Sequence, residues 1–198
     1  MTELYFVRHA QPDYTYGTDA TFPLSDEGNI DRMKAYKALR DIHFDAAISS
    51  PYKRSVDTIA PIADRQGLSI ITDPRLRERE KGESGNSGIE MFKKRWSDFD
   101  FHEQGGESLG SVQKRNISCI KEILLDYRDK TVLIGTHGTA LSTILNYYDS
   151  SFGFEGFYRI INYMPYVIRL GFEGETFLGM AELCFVEKEY HGKNRIKD

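Results

Sequence analysis

The chain has 198 residues with a net charge of −4, of which 40% are hydrophobic and 28% charged. That length allows one sizeable α/β domain with its own core and room for a small cap, and the balance excludes a disordered chain. The mild acidity gives no general affinity for nucleic acid or an anionic membrane, so any anionic ligand would have to be held by local arginines.

The apolar run Leu4–Val7 predicts a first strand, buried on both faces as in a parallel sheet, and it ends abruptly in Arg8 and His9. Asp26-Glu27-Gly28 reads as a turn leading into a helix from about Asn29 to Arg40. Ala46–Ile48 predicts a second strand. Val56, Ile59, Ala60 and Ala63 have helical spacing. Leu68–Ile71 is a weaker third strand. The segment from Glu83 to Gly106 breaks the alternation. It is rich in glycine and polar residues around a short basic helix at Ile89 to Phe99, and reads as an inserted cap. Val112, Cys119, Ile120, Ile123, Leu124 and Tyr127 form a helical stripe that opens near Ser108. Val132–Ile134 is a fourth strand, and Ala140, Leu141, Ile144, Leu145 and Tyr148 a further helix. Tyr166–Phe172 and Thr176–Cys184 flank Glu-Gly-Glu as a hairpin that adds an antiparallel edge strand. The alternation predicts a doubly wound α/β/α sandwich of three layers, mostly parallel, with residues 1–198 as a single domain.

No internal repeat or low-complexity linker stands out. Cys119 and Cys184 lie far apart and neither belongs to a CxxC, so zinc and redox motifs are unsupported. No run approaches the ~20 apolar residues of a membrane helix, and no basic start followed by a long apolar run opens the chain. A cytoplasmic setting, with no membrane and no nucleic-acid partner, is the expectation.

The polar residues fall in a pattern. Arg8 and His9 follow the first strand, Ser49 to Ser55 ("SSPYKRS") follow the second and bring Arg54, "RLRERE" (Arg75 to Glu80) follows the third, and "GTHGTA" (Gly135 to Ala140) follows the fourth and brings His137. Each lies just beyond the carboxyl end of a strand, the edge where open α/β sheets bind ligands. Two guanidiniums suit bidentate contact with phosphate oxygens. The helix starts after Pro51 and at Gly138 offer free N–H groups to an anion. An imidazole among arginines is kept neutral and therefore nucleophilic. A nearby carboxyl can protonate a leaving oxygen. No cluster of Asp residues suited to a phosphate-binding metal is evident, and no cofactor is implied. The residues alone read as metal-free phosphoryl transfer through histidine.

At these positions the sequence resembles the histidine phosphatase superfamily, of phosphoglycerate-mutase-like fold. "VRHA" is similar to the family's V-R-H-G, "PLSDEG" to P-L-T-x-x-G, "SSPYKRSVDT" to S-S-P-L-x-R-A-x-x-T, "LRERE" followed by Gly82 to L-x-E-x-x-x-G, "GGES" to G-G-E-S, and "GTHG" to V-x-H-G. The resemblance implies His9 as the phosphorylated nucleophile, with Arg8, Arg54 and His137 holding the phosphoryl group. It implies Glu78 as the acid for the leaving oxygen and then the base for water. Ala10 stands where glycine is usual, and Pro12 and Thr15 stand where Thr and Asn are common, with Gln11 as a candidate replacement contact.

Blander readings stand beside these. Arg8 and Arg54 could pair with Asp13 or Asp57. Glu80, Glu83 and Glu107 compete with Glu78 as proton donor. Glu107 and Ser108 are explained by helix capping, Lys93, Lys94 and Arg95 by a solvated helix face, and His43 and His102 by the surface. The aromatic residues Tyr147, Tyr148, Phe152, Phe154, Phe157, Tyr158 and Tyr163 read as packing under the hairpin, with a substrate box or a homodimer surface as minority readings. The expected function is hydrolysis of a small phosphorylated metabolite by a histidine acid phosphatase-type enzyme. Phosphoglycerate mutase-type transfer, a non-catalytic phosphate-binding module and metal-dependent hydrolysis are the alternatives. Mutases of the family carry a long arginine-containing insertion, whereas only 28 residues separate Glu78 from Glu107 here; this favours the phosphatase.

Overall fold

A computed structural model of the chain describes residues 1–83 and 88–189. Six strands form one sheet in the order β3-β2-β4-β1-β5-β6. Strands β1 (Thr2–Arg8), β2 (Ala46–Ser49), β3 (Ile70–Thr72) and β4 (Thr131–Thr136) run parallel. Strands β5 (Tyr163–Glu173) and β6 (Thr176–Glu187) form the antiparallel hairpin. Alternate side chains of β1 point to opposite faces, as the pleat requires. Leu4 and Phe6 pack with Ile120, Leu141 and Ile144, while Tyr5 and Val7 pack with Ala35, Leu39, Ile59 and Ile62. Helices α1 (Asp26–Leu39) and α2 (Lys53–Arg65) therefore cover one face, and α4 (Leu109–Asp126) and α5 (Gly138–Tyr148) the other. This is the expected three-layer α/β/α sandwich. Each fully buried side chain such as Phe6 or Leu133 adds about 2 kcal/mol to it.

Three local expectations change. The hairpin contributes two strands, not one: β5 lies inside the sheet, paired to β1 from Thr2↔Phe172 to Arg8↔Tyr166, and β6 is the edge. Asp26-Glu27-Gly28 is the first turn of α1, not a separate turn. Ser25 caps it by accepting from the Gly28 N–H at 3.0 Å, and the two acids favour the positive helix end. The third strand begins two residues later than expected, at Ile70.

The segment after Glu78 leaves and re-enters the body at an antiparallel bridge between Lys81 and Gly106. It carries α3 (Ile89–Ser97), which packs against α6 (Phe154–Ile160) through Phe92, Trp96, Phe157 and Ile161. Residues 84–87 of the expected cap lie outside the described residues. Among the described residues no helix is long and apolar enough to cross a membrane.

Candidate active site

The parallel pairing of β1 and β4 continues one residue past the strand, because the His9 N–H donates to the Thr136 carbonyl at 3.1 Å. That contact sets His9 at the sheet edge beside His137, the residue preceding α5. The two imidazole centroids lie 5.2 Å apart. Both rings are buried.

The His9 ring is oriented by its own chain. Nδ1 lies 2.7 Å from the Ala10 carbonyl. A carbonyl can only accept, so Nδ1 carries the hydrogen and Nε2 keeps its lone pair. Burial first, then the charges of Arg54 and Arg8, hold the ring well below the ordinary histidine value of 6.5. His137 is likewise held well below 6.5, by burial first and then by Arg54, His9 and Arg8. Its Nε2 meets the Ser50 hydroxyl at 2.7 Å, and its Nδ1 is buried with no hydrogen-bond partner among the described residues.

Arg8 donates from Nη1 to the Ile160 carbonyl at 2.7 Å. Its guanidinium lies against the start of α5. A Cβ at Gly138 would stand 3.0 Å from the Arg8 Cζ, a contact tight enough to push the guanidinium aside. Arg54, in the first turn of α2, donates to the Asp19 carbonyl and pairs with the Asp19 carboxylate at 3.2 Å. Its expected competitor Asp57 pairs with Lys53 instead, and Asp13 holds the Thr15 N–H rather than Arg8. Thr58 ties the two arginine-bearing segments together: it accepts from the Ala10 N–H at 3.0 Å and donates to the Arg54 carbonyl at 2.7 Å.

Glu78 follows a 3-10 turn (Pro74–Leu76) and faces the start of α5. Its Oε1 accepts from the Arg79 and Ala140 N–H groups at 2.8 and 3.1 Å, and its Oε2 from the Thr139 N–H at 3.0 Å. The backbone of this loop is gripped by Arg115 on α4. Arg115 donates to the carbonyls of Arg75, Arg77 and Glu78 at 2.6, 2.8 and 3.1 Å. Glu107 accepts from Arg115, Arg77 and the Glu80 N–H. It is therefore not a helix cap; Ser108 alone caps α4, through the Ser111 N–H at 3.1 Å.

Arg8, His9, Arg54, Glu78 and Gly138 line one pocket. His137 is adjacent to His9 but is not itself in the wall, and Gln11 is not in the wall either; its carbonyl instead receives the Ser25 N–H and hydroxyl. The outer wall comes from the inserted segment and α6: Arg79, Lys81, Phe92, Arg95, Trp96 and Phe157. Two expectations are corrected here. Arg95 is not on a solvated face, for it is 5% exposed and paired with buried Glu103, whereas Lys93 and Lys94 are exposed. The aromatic residues do not form one cluster under the hairpin. Tyr148 and Tyr163 pack there, but Phe157 lines the pocket with Phe92 and Trp96. His43 and His102 are exposed, as expected.

Asp19, Thr58 and Arg115 carry much of the geometry and were assigned no role from the sequence. Thr58 had a signal, as the last residue of "SSPYKRSVDT". Asp19 had none, since nothing local marks a loop carboxylate that reaches Arg54 across the pocket. Among the described residues no group of three or more His, Cys, Asp or Glu side chains could hold a metal ion.

A profile of the histidine phosphatase superfamily (branch 1) matches residues 4–178. Phosphoserine phosphatase 1 of Hydrogenobacter thermophilus is 31% identical over 150 residues, covering 69% of this chain and 71% of that one. A 2,3-bisphosphoglycerate-dependent phosphoglycerate mutase of Mesorhizobium japonicum is 27% identical, covering 77% and 84% of the two chains. Among solved structures, Bacillus stearothermophilus YhfR superposes with a TM-score of 0.73 at 24% identity, over 90% of this chain and 95% of that one. The pairing of His9 with His137 at the rim of a phosphoglycerate-mutase-like sheet thus has its counterpart in the sequence match, and the chain belongs to the histidine phosphatase superfamily.

Proposed function

We propose that this chain is a phosphatase that hydrolyses a small phosphomonoester in two steps through phosphohistidine on His9. The observation that carries the reading is the hydrogen bond from His9 Nδ1 to the Ala10 carbonyl, which leaves Nε2 as a neutral nucleophile between two guanidiniums. The substrate phosphoryl group docks on Arg8 and Arg54, whose charges neutralise its oxygens. The unpartnered Nδ1 of His137 is the further donor available to it. His9 Nε2 attacks phosphorus as the P–O bond to the alcohol breaks. Glu78 gives its proton to the departing oxygen. Its Oε2 accepts one N–H against two at Oε1, and so keeps the lone pair that carries this proton. Glu78 then takes a proton from water as the water oxygen attacks phosphorus, releasing His9 and inorganic phosphate.

A relative named phosphatase and one named mutase match the chain over 69% and 77% of its length. The short segment between Glu78 and Glu107 favours hydrolysis, and the arginines in the pocket's outer wall are the feature that a mutase reading would use. Incubation with 3-phosphoglycerate and a trace of the bisphosphate, beside a panel of phosphomonoesters, separates the two. The phosphatase releases inorganic phosphate. Accumulation of the 2-isomer without phosphate release would assign the chain to the mutases instead.

A further inference from the structure

We infer that Tyr52 is a positioning residue of this site: its ring holds the Arg54 guanidinium on its face and the His137 imidazole at its edge, and so sets two of the groups that receive the phosphoryl oxygens. The inference rests on the reading of Arg54 and His137 as part of the phosphoryl site. It adds a residue that lies outside the pocket wall and acts through both of them.

The Tyr52 ring is aimed by its backbone. Tyr52 directly precedes α2, in extended conformation. Its N–H donates to the Ser50 hydroxyl at 3.2 Å, and its carbonyl accepts from the Ser55 and Val56 N–H groups at 2.9 and 3.2 Å. The residue cannot turn without undoing the start of the helix. Its half-buried ring then meets two groups from distant parts of the chain. The Arg54 Cζ stands 5.0 Å from the ring centroid, within reach of cation–π attraction. The His137 ring stands 5.1 Å away at 71°, an edge-on contact. The Tyr52 hydroxyl makes no hydrogen bond among the described residues, so the ring alone makes these contacts.

What is left open on both neighbours points to a ligand. Arg54 gives Nη1 to the Asp19 carbonyl and Nη2 to the Asp19 carboxylate, and its Nε is buried with no partner among the described residues. Asp19 and the Tyr52 ring thus fix the guanidinium from two sides. His137 meets the Ser50 hydroxyl through Nε2. That hydroxyl oxygen already accepts the Tyr52 N–H, and by donating its own hydrogen to Nε2 it leaves the ring hydrogen on Nδ1, which is likewise buried and unpartnered. One open N–H therefore remains on each of the two groups that the Tyr52 ring holds. A buried unmet N–H is costly, and a phosphoryl oxygen is the acceptor that the reaction brings to both. Packing alone does not call for a ring here, since the pattern S-S-P-L-x-R has leucine where Tyr52 stands.

Calorimetry with inorganic phosphate on the full chain tests this, because it reads affinity and the number of sites together. Tyr52→Phe keeps the ring and should bind phosphate as the native protein does. Tyr52→Leu should bind it about fivefold more weakly or worse, the scale of a lost cation–π contact, with the number of sites unchanged. Its kcat/KM on 4-nitrophenyl phosphate should fall at least as far. A residue that only packed would reduce the number of sites and leave the affinity of the remainder intact. Progressively fluorinated phenylalanines at position 52 keep the ring shape while draining its face of negative charge. Phosphate affinity should weaken in step with fluorination, and this series decides the matter if the leucine variant does not fold. Equal affinity across the native, leucine and fluorinated proteins overturns the inference. So does a loss in Tyr52→Phe as large as that in Tyr52→Leu, which would give the role to the hydroxyl. Arg54→Met is the control on the site and should abolish phosphate binding; undiminished binding there would overturn the phosphoryl site and this inference with it. Failure of the native protein to hydrolyse any ester would count against the phosphatase reading alone, since phosphate affinity is measured independently of turnover.

Discussion

Glu107, just before α4, and Arg115, within it, form a two-pronged pair at 2.9 and 3.0 Å, and through it the helix holds the loop that presents Glu78. Arg115 spends its remaining donors on three carbonyls of that loop. Replacing it with alanine takes two charged hydrogen bonds from the half-buried Glu107, which keeps only Arg77 and the Glu80 N–H, and removes the donor from three carbonyls at once. Arg115→Ala should lower stability by about 3 kcal/mol, read as a lower urea midpoint. In the protein that remains folded, kcat should fall more for alkyl phosphates than for 4-nitrophenyl phosphate, because Glu78 is displaced. Arg115→Lys, which keeps the charge and loses the fork, should lie between the two. An equal fall for both substrate types would make Arg115 a stability residue alone.

The same leaving-group logic tests Glu78 directly. An alkoxide is a poor leaving group and needs the proton, whereas nitrophenolate does not. Glu78→Gln should slow alkyl phosphate hydrolysis by about a hundredfold or more, within the usual range for a lost general acid, and nitrophenyl phosphate far less. If the two classes slow equally, Glu78 does not protonate the leaving oxygen.

Gly138 separates affinity from folding. Its backbone does not occupy the left-handed region, so alanine there brings no backbone strain, and in a helix alanine is the better former by about 1 kcal/mol. The added methyl, however, would stand 3.0 to 3.2 Å from three atoms of the Arg8 guanidinium. Gly138→Ala should leave the unfolding midpoint unchanged or raised while the inhibition constant of inorganic phosphate rises about tenfold, the scale of one displaced charged contact. Unchanged phosphate inhibition would mean that Arg8 does not hold the phosphoryl group.

Both histidines titrate below 6.5 in the folded chain and near 6.5 when unfolded. Below pH 6.5 the unfolded state therefore binds protons that the folded state refuses, and stability falls as pH falls. Each buried ring contributes a slope of at most about 1.4 kcal/mol per pH unit, down to its own folded pKa. His9→Asn should flatten the stability profile between pH 6.5 and 5 relative to the native protein. The native kcat/KM should show no acid limb at 6.5 from His9. A limb at 6.5 that tracks imidazole protonation would show that burial and the arginines do not depress that ring.

The fold and the rim were legible for different reasons. Short apolar runs between helical stripes announce buried parallel strands, and polar residues just beyond such runs fall at the sheet edge; Arg8, His9, Arg54 and His137 all carry that signal. What stayed hidden depends on contacts across long sequence separations. Arg95 on a basic helix reads as solvated until Glu103 and the pocket are folded beside it. Glu107 next to Ser108 reads as a cap until Arg115 and Arg77 converge on it. Phe157 reads like its aromatic neighbours until α6 meets α3. The inner position of β5 was missed because a hairpin near the end of a chain can add to a sheet at its edge or beside its centre, and local pattern does not distinguish the two.

The central claim is that Nε2 of His9 accepts the phosphoryl group. Mixing the native protein with a labelled phosphomonoester, quenching in alkali within the first turnover and mapping the label by peptide mass analysis tests it most directly. The label should appear as an acid-labile phosphoryl group on His9, form no more slowly than phosphate is released, and be absent from His9→Ala. Label on another residue, or phosphate released in a single turnover with no labelled protein at any time, contradicts it.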